Sequence, residues 1–357
     1  MLSSVTMVPE GPQGAPQAAP KTHKKEFIGY IHHFRGLAIL FVVACHLLMA
    51  WPPNSFTEKC LLVLWGNGTV LFVFIAGYLF QHLSRKFEYK DYLRKKLQNV
   101  MLPYLIVSAP IIVYRLVAHE YPGYITDPHP AFATWPVWER VAYFLGCGAH
   151  LQPLWFIPMI AIFYVAAPLF IYIDRHPKWY YILPAVCVVS WFVEREPFSD
   201  IPKMFVHFFS VYVFGMFLSR YKKEYLEFAK KYYVIISIAT VLAFAATLLF
   251  YTTLGNPLNY VHKMLFCCFF IYWLWRLERY VPPFFNLMAD LSFGLYFLHY
   301  YTLLIVKAVY ERSAHHAIPG NILYWTADLL LVLFGTIVVI QAVKRLAPKK
   351  SRYLIGC

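Results

Sequence analysis

Apolar residues in this chain come in long blocks divided by short polar segments, so the hydrophobicity is spread along its whole length. Ten blocks reach or approach the roughly 20 residues that carry a helix across a hydrocarbon core. They lie at 27–50, 61–80, 100–118, 152–173, 179–194, 203–219, 233–252, 259–275, 289–310 and 322–343. Pro103, Pro158 and Pro168 fall inside such blocks. They do not argue against helix, because neighbours in a membrane satisfy the backbone groups that a proline frees. The pattern predicts an all-α fold, a polytopic transmembrane bundle of about ten helices.

The polar segments orient that bundle. With the amino terminus inside, the inner segments carry about three times as many Lys and Arg as the outer ones, the asymmetry of the positive-inside rule. HLSRKFEYKDYLRKKLQN, SRYKKEYLEFAKKYY and KRLAPKKSR show it best. Both termini are therefore expected in the cytoplasm. Residues 1–26, rich in Pro, Gly, Ala and Gln, read as a disordered cytoplasmic tail. Residues 27–345 read as the membrane domain and 346–357 as a basic cytoplasmic tail. The apolar stretch from Phe27 runs too long for a signal peptide, so the first helix is expected to stay in the mature protein.

Composition agrees, with 60% hydrophobic and only 14% charged residues, where a soluble domain carries about 25%. The net charge of +14 follows from orientation and attraction to anionic lipid, and does not call for nucleic acid. Arg94, Lys95 and Lys96 are the exception, since they stand just before the third helix and suit an anionic cofactor arriving from the cytosol. The seven cysteines show no CxxC pair and read as small buried hydrophobes. A disulfide between Cys60 and Cys147, both near the outer face in this topology, is the alternative to that reading. No metal site is suggested.

Ionisable groups inside membrane helices are costly, which makes each a candidate functional residue. The first block holds Arg35 and His46 in RGLAILFVVACH. Eleven residues make about three helical turns and a rise of about 16 Å, so both side chains are expected on one helix face at two depths. Arg35, in the cytoplasmic third, cannot lose its charge and suits a phosphate. His46, in the outer third, suits the work of taking a proton from a hydroxyl and returning it. The plain alternatives are a snorkelling arginine and a packed histidine.

These residues resemble the hallmark of the acyltransferase-3 family of membrane acyltransferases, an arginine followed in the first helix by a histidine. The likeness extends to LFVFIAGYLF with Phe72, Gly77 and Tyr78, and to YLRKKLQNVMLPY ending in Pro103 and Tyr104. It continues in LWFIPMIAIFYVAAPLF with Trp155 and Pro168, and in LSFGLYFLHYY ending at His299. These motifs run in order through residues 27–345. The chain departs from the family pattern at His32, where an Asp is common, and at Lys96 and Asn99, where arginines are common.

The resemblance implies transfer of an acyl group, usually acetyl, from cytosolic acyl-CoA to a hydroxyl of a glycan beyond the membrane, in a bacterial cytoplasmic membrane. The donor is expected near Arg35, Arg94, Lys95, Lys96, Tyr78 and His299. The acceptor is expected near Asn67, Gln152, Trp155, His207 and Asp328, and Asn67, Gln152, His207 or Asp328 could orient His46 or donate to an oxyanion. Asp328 stands out, because a carboxylate partner would raise the basicity of His46. The segment 118–150 is long enough for an amphipathic cap, and Tyr121, Tyr124, Trp135 and Trp138 in it suit stacking on sugars. Succinyl transfer is the alternative within the enzyme class. A carrier or flippase is the alternative outside it, though the inverted repeats usual in transporters are not apparent.

Overall fold

The computed structural model describes residues 27–193, 195, 196 and 198–357. The expected tail over residues 1–26 lies outside the described residues. Among these residues no strand forms, and the fold is all helical.

Helix α1 (Gly29–Ala44) is buried along most of its length. The second apolar block is broken in two, α2 (Phe56–Trp65) and α3 (Thr69–Leu83), at Gly66-Asn67-Gly68. Asn67 there takes a left-handed φ of 58°. Ser55 caps α2 by accepting from the Glu58 N–H. Helix α4 (Tyr89–Lys96), a wide π turn over Leu97–Met101 and α5 (Leu102–Ala118) follow on one another. Short α6 (Gly123–Thr126) and α7 (Val137–Cys147) build the cap around a small core of Ile112, Ile125, Phe132, Phe144 and Ala149.

The fourth apolar block is also broken. Helix α8 (Phe156–Val165) yields to α9 (Ala167–Arg175) at Ala166, with Pro168 in the first turn of α9. Then come α10 (Leu183–Phe192) and α11 (Ile201–Arg220), the latter capped by the Asp200 side chain on the Lys203 N–H. Helices α12 (Lys222–Leu249) and α13 (Tyr251–Arg276) form a hairpin. Helix α14 (Pro283–Asp290) leads into α15 (Ser292–Ala314), and α16 (Ile322–Leu346) packs back on it. The basic terminal segment folds back as α17 (Ser351–Ile355), which packs on α5 and α15 with Ser351 and Ile355 buried.

Helix α1 sits inside a ring of α3, α13, α14, α15 and α16, while α12 turns an apolar face outward through Val234, Ile235, Ile238, Val241 and Leu242. Small residues set the closest crossings. A Cβ on Gly77 of α3 would collide with the Tyr212 carbonyl of α11, and one on Gly215 with the Phe74 carbonyl of α3.

Among the described residues, six stretches are long and apolar enough to cross a membrane: Phe56–Lys86, Tyr89–Ala118, Ile201–Arg220, Lys222–Leu249, Ser292–Ala314 and Ile322–Leu346. The pair Val137–Cys147 and Gln152–Val165, bent by 72°, makes a seventh if it acts as one span. Several of the remaining expected spans are short or broken, as α1, α10 and the α8–α9 pair show. Several apolar helices make the chain a multi-pass integral membrane protein.

Candidate active site

The sequence places His46 within the first helix, but α1 ends at Ala44. The ring of His46 is the reason. Its Nδ1 lies 2.6 Å from the Val42 carbonyl oxygen, the acceptor that helical bonding would have given to the His46 N–H. That N–H turns instead to the Val43 carbonyl at 3.2 Å, which tightens the chain out of the helix. Pro52 and Pro53 follow, and neither can donate to a continuing helix. Ala50 then pairs with the far loop, donating to the Ile318 carbonyl at 2.8 Å and accepting from the Gly320 N–H at 2.7 Å.

A carbonyl only accepts, so Nδ1 of His46 carries a proton, and in the neutral ring Nε2 keeps its lone pair. The Cys45 sulfur also lies 3.4 Å from Nδ1. His299 repeats the device, with Nδ1 2.8 Å from the Leu295 carbonyl and 3.0 Å from that of Tyr296, and its Nε2 is buried without a partner. The two imidazole centroids are 5.4 Å apart, and the Tyr300 ring stands edge-on to His46 at 5.9 Å. Tyr300 donates to Gln152 Oε1 at 2.9 Å, and Tyr296 donates to the Pro153 carbonyl at 2.7 Å. These bonds tie α15 to the segment that precedes α8.

His46 lines a cavity of about 70 Å³ together with Cys45, Asn67, Trp155, Arg195 and Tyr296. The break between α2 and α3 forms one wall, so the first residues of α3 face the space through Gly68 and Thr69. Helix N-termini carry unpaired N–H groups and a partial positive charge. The other half of the break is held by Lys263, whose ammonium is fully buried. It donates to the Val63 and Leu64 carbonyls at 3.0 and 2.5 Å, at the end of α2.

A second cavity of about 200 Å³ shares Asn67 and Arg195 with the first and adds His207, Asn259, Trp191 and Phe192. His207 donates through Nδ1 to the Val193 carbonyl at 2.7 Å, and its Nε2 is buried without a partner. Arg195 lies over the Trp155 and Phe208 rings at 5.6 and 5.9 Å. Burial pulls its guanidinium down to about 10, which leaves it charged at neutral pH.

The structure thus gathers His46, His299, Asn67, Gln152 and Trp155 around the first cavity or its wall, and His207 at the second. Asp328 does not join them. Both its oxygens are buried without a hydrogen-bond partner, it lines neither cavity, and the Val42 carbonyl holds His46 where that carboxylate was expected. In the cap built by α6 and α7, Tyr124 stacks on Phe198 at 4.3 Å and Tyr121 packs on Phe132, so both serve the cap itself.

Of the residues expected around an acyl donor, Arg35, Tyr78, Arg94, Lys95 and Lys96 line neither cavity, and His299 alone stands beside His46. Arg35 approaches His32 Nδ1 at 3.4 Å, His32 Nε2 is 3.5 Å from Asp290, and Arg35 Nε is buried without a partner. Tyr78 shares a hydrogen bond of 2.8 Å with Tyr30, between α3 and α1. Arg94 and Lys95 both pair with Asp91, at 3.1 and 2.6 Å on the surface, whereas Lys96 lies over the Tyr92 and Tyr164 rings at 5.3 and 4.5 Å. The seven cysteines are free, so Cys60 and Cys147 make no disulfide. Sequence reasoning missed Arg195 and Lys263. The rule that flagged Arg35, a charge inside an apolar block, applies equally to Lys263.

A family model described as an acyltransferase domain, that of the acyltransferase-3 family, matches residues 28–341. No curated protein and no solved structure matches the chain.

Proposed function

Because the chain belongs to the acyltransferase-3 family and is a membrane acyltransferase, we propose that it moves an acyl group, acetyl in the first place, from cytosolic acyl-CoA to a hydroxyl of a glycan beyond the membrane. In this reading the chain crosses a bacterial cytoplasmic membrane ten times with both termini inside, the short α1 and α10 and the broken α8–α9 pair serving as spans within the bundle. The glycan is a surface or exported polysaccharide or its precursor.

Arg35 and Lys96 hold the CoA phosphates by charge-assisted hydrogen bonds. Arg35 has an unused donor in Nε, and Lys96 has no carboxylate partner, which distinguishes it from Arg94 and Lys95. The thioester reaches the first cavity from the inner side. His46 Nε2 takes the proton of the acceptor hydroxyl, the alkoxide oxygen attacks the thioester carbonyl, and the carbon–sulfur bond breaks. The proton then passes from His46 to the CoA sulfur. Negative charge on the carbonyl oxygen is met by the N-terminus of α3 at Gly68 and Thr69.

The observation that carries the reading is the 2.6 Å contact of His46 Nδ1 with the Val42 carbonyl, which leaves the other nitrogen of a ring that lines the cavity to serve as the base. The test is incubation of the purified protein in liposomes with radiolabelled acetyl-CoA and extracted bacterial glycans. Label should reach a glycan with wild type and not with His46→Ala. Label transfer that survives in the variant would remove His46 from the chemistry.

A further inference from the structure

Arg195 stands where the two cavities meet, and the mechanism above gives it no task. None of the ion pairs among the described residues includes it, and its Nε is buried without a hydrogen-bond partner. An arginine does not shed its proton in a protein. The residue is half-buried against the two cavities; a cation partly withdrawn from water without a counter-ion is costly, and within a membrane protein such a group marks a substrate path.

The second cavity shows what the guanidinium meets on the side away from His46. Its wall combines the amide edges of Asn67 and Asn259 and the imidazole of His207 with the aromatic faces of Trp191 and Phe192. A few polar groups set among apolar and aromatic surface are what orients a small polar ligand. Neither cavity is lined by a lysine or a second arginine, so the site offers one positive charge in the form of a planar fork. Such a fork matches one carboxylate bidentately. A phosphate dianion would call for a second cation.

We propose that the second cavity is the acceptor chamber and that Arg195, at its junction with the catalytic cavity, reads a carboxylate carried by the substrate. The carboxylate belongs either to an acidic sugar of the acceptor or to the far end of a dicarboxylic acyl chain. The link to a particular hydroxyl rests on the acyltransferase reading; the carboxylate selectivity does not.

The test is titration calorimetry on the full-length protein in detergent, comparing D-glucuronate with D-glucose and succinyl-CoA with acetyl-CoA. Wild type should bind the carboxylated member of at least one pair roughly 30-fold or more tighter than the neutral one, as for loss of a buried charge pair. Arg195→Gln should erase most of that preference. Arg195→Lys, which keeps the charge and loses the fork, should retain part of it, and carries the comparison if the Gln variant does not fold. A preference within the sugar pair puts the carboxylate on the acceptor, and one within the CoA pair puts it on the acyl chain. Absence of any preference in wild type overturns the proposal. So does equal weakening of charged and neutral ligands in Arg195→Gln, which would make the guanidinium a packing or oxyanion-holding group. Failure of the acyltransferase reading is separable, since it would leave carboxylate selectivity without label transfer.

Discussion

Lys263 donates to the carbonyl oxygen of Val63 across 3.0 Å in the interior of the protein. The second bond, to Leu64, completes a cap that a chain break in a membrane helix needs, since water is not there to provide it. The ammonium also lies 4.8 Å from the Phe266 ring and 5.4 Å from that of Phe41, so its charge is partly met by aromatic faces. Replacing it by Met orphans two carbonyls at about 1–3 kcal/mol each, but also removes a buried ammonium whose desolvation costs several kcal/mol. The two effects oppose each other in stability. Lys263→Met is therefore expected to melt near wild type, while Asn67 and Gly68 shift in the cavity wall and turnover falls about tenfold or more, a change of about 1.4 kcal/mol. Wild-type turnover in a folded variant would show that the lysine does not hold the break in place.

His46 answers to a different prediction. If its free nitrogen is the base, His46→Ala lowers turnover by about 10²–10⁴ while leaving the affinity for CoA unchanged, because the CoA phosphates are assigned to the inner side. Single-turnover transfer and equilibrium CoA binding, measured on the same preparation, separate the two. Loss of CoA binding in the variant would place the cofactor against the histidine itself.

How much of this was legible can be followed residue by residue. Block length pointed to the helical membrane domain, and intramembrane charge singled out Arg35, whose Nε is buried without a partner. The end of α1 was not legible, because the apolar run continues past His46 through Leu47, Leu48 and Met49, and what stops the helix is a ring taking a backbone carbonyl. The triplet Gly66-Asn67-Gly68 is a turn signal in its own right, but it stands inside an apolar block whose length argues for a continuous helix. Arg195 reads as a flanking charge at the edge of an apolar block. Only the tertiary fold lays it over Trp155 and Phe208.

The crossing of α3 and α11 makes a prediction about stability alone. Gly77 and Gly215 face backbone carbonyls of the opposite helix, Tyr212 and Phe74, so even a methyl group has nowhere to go. Backbone cannot yield as a flexible side chain does, and overpacking costs about 1–3 kcal/mol or more. Gly77→Ala is expected to lower the melting temperature in detergent, and Gly77→Leu to prevent accumulation of folded protein. A Gly77→Leu variant that purifies as a monodisperse species with a wild-type melting temperature would mean that the two helices do not cross this closely.

The final prediction concerns Arg35 and the residue three before it. His32 stands between Arg35 Nη2 at 3.4 Å and Asp290 at 3.5 Å. Asp290 is held close because Gly36 lets α14 approach, a Cβ there colliding with the Phe285 carbonyl. A carboxylate thus reaches the setting of the arginine from another helix, through an imidazole. If Arg35 binds CoA phosphate, Arg35→Ala should raise the KM for acyl-CoA about tenfold or more, the loss of a charge-assisted hydrogen bond, with a smaller effect on kcat. Asp290→Asn should act in the same direction more weakly, since it loosens the arginine's setting without removing its charge. His32→Asp, which returns the carboxylate to α1, should rescue Asp290→Asn. Unchanged CoA affinity in Arg35→Ala would move the phosphate site toward Lys96, and failure of the rescue would reduce Asp290 to a packing role.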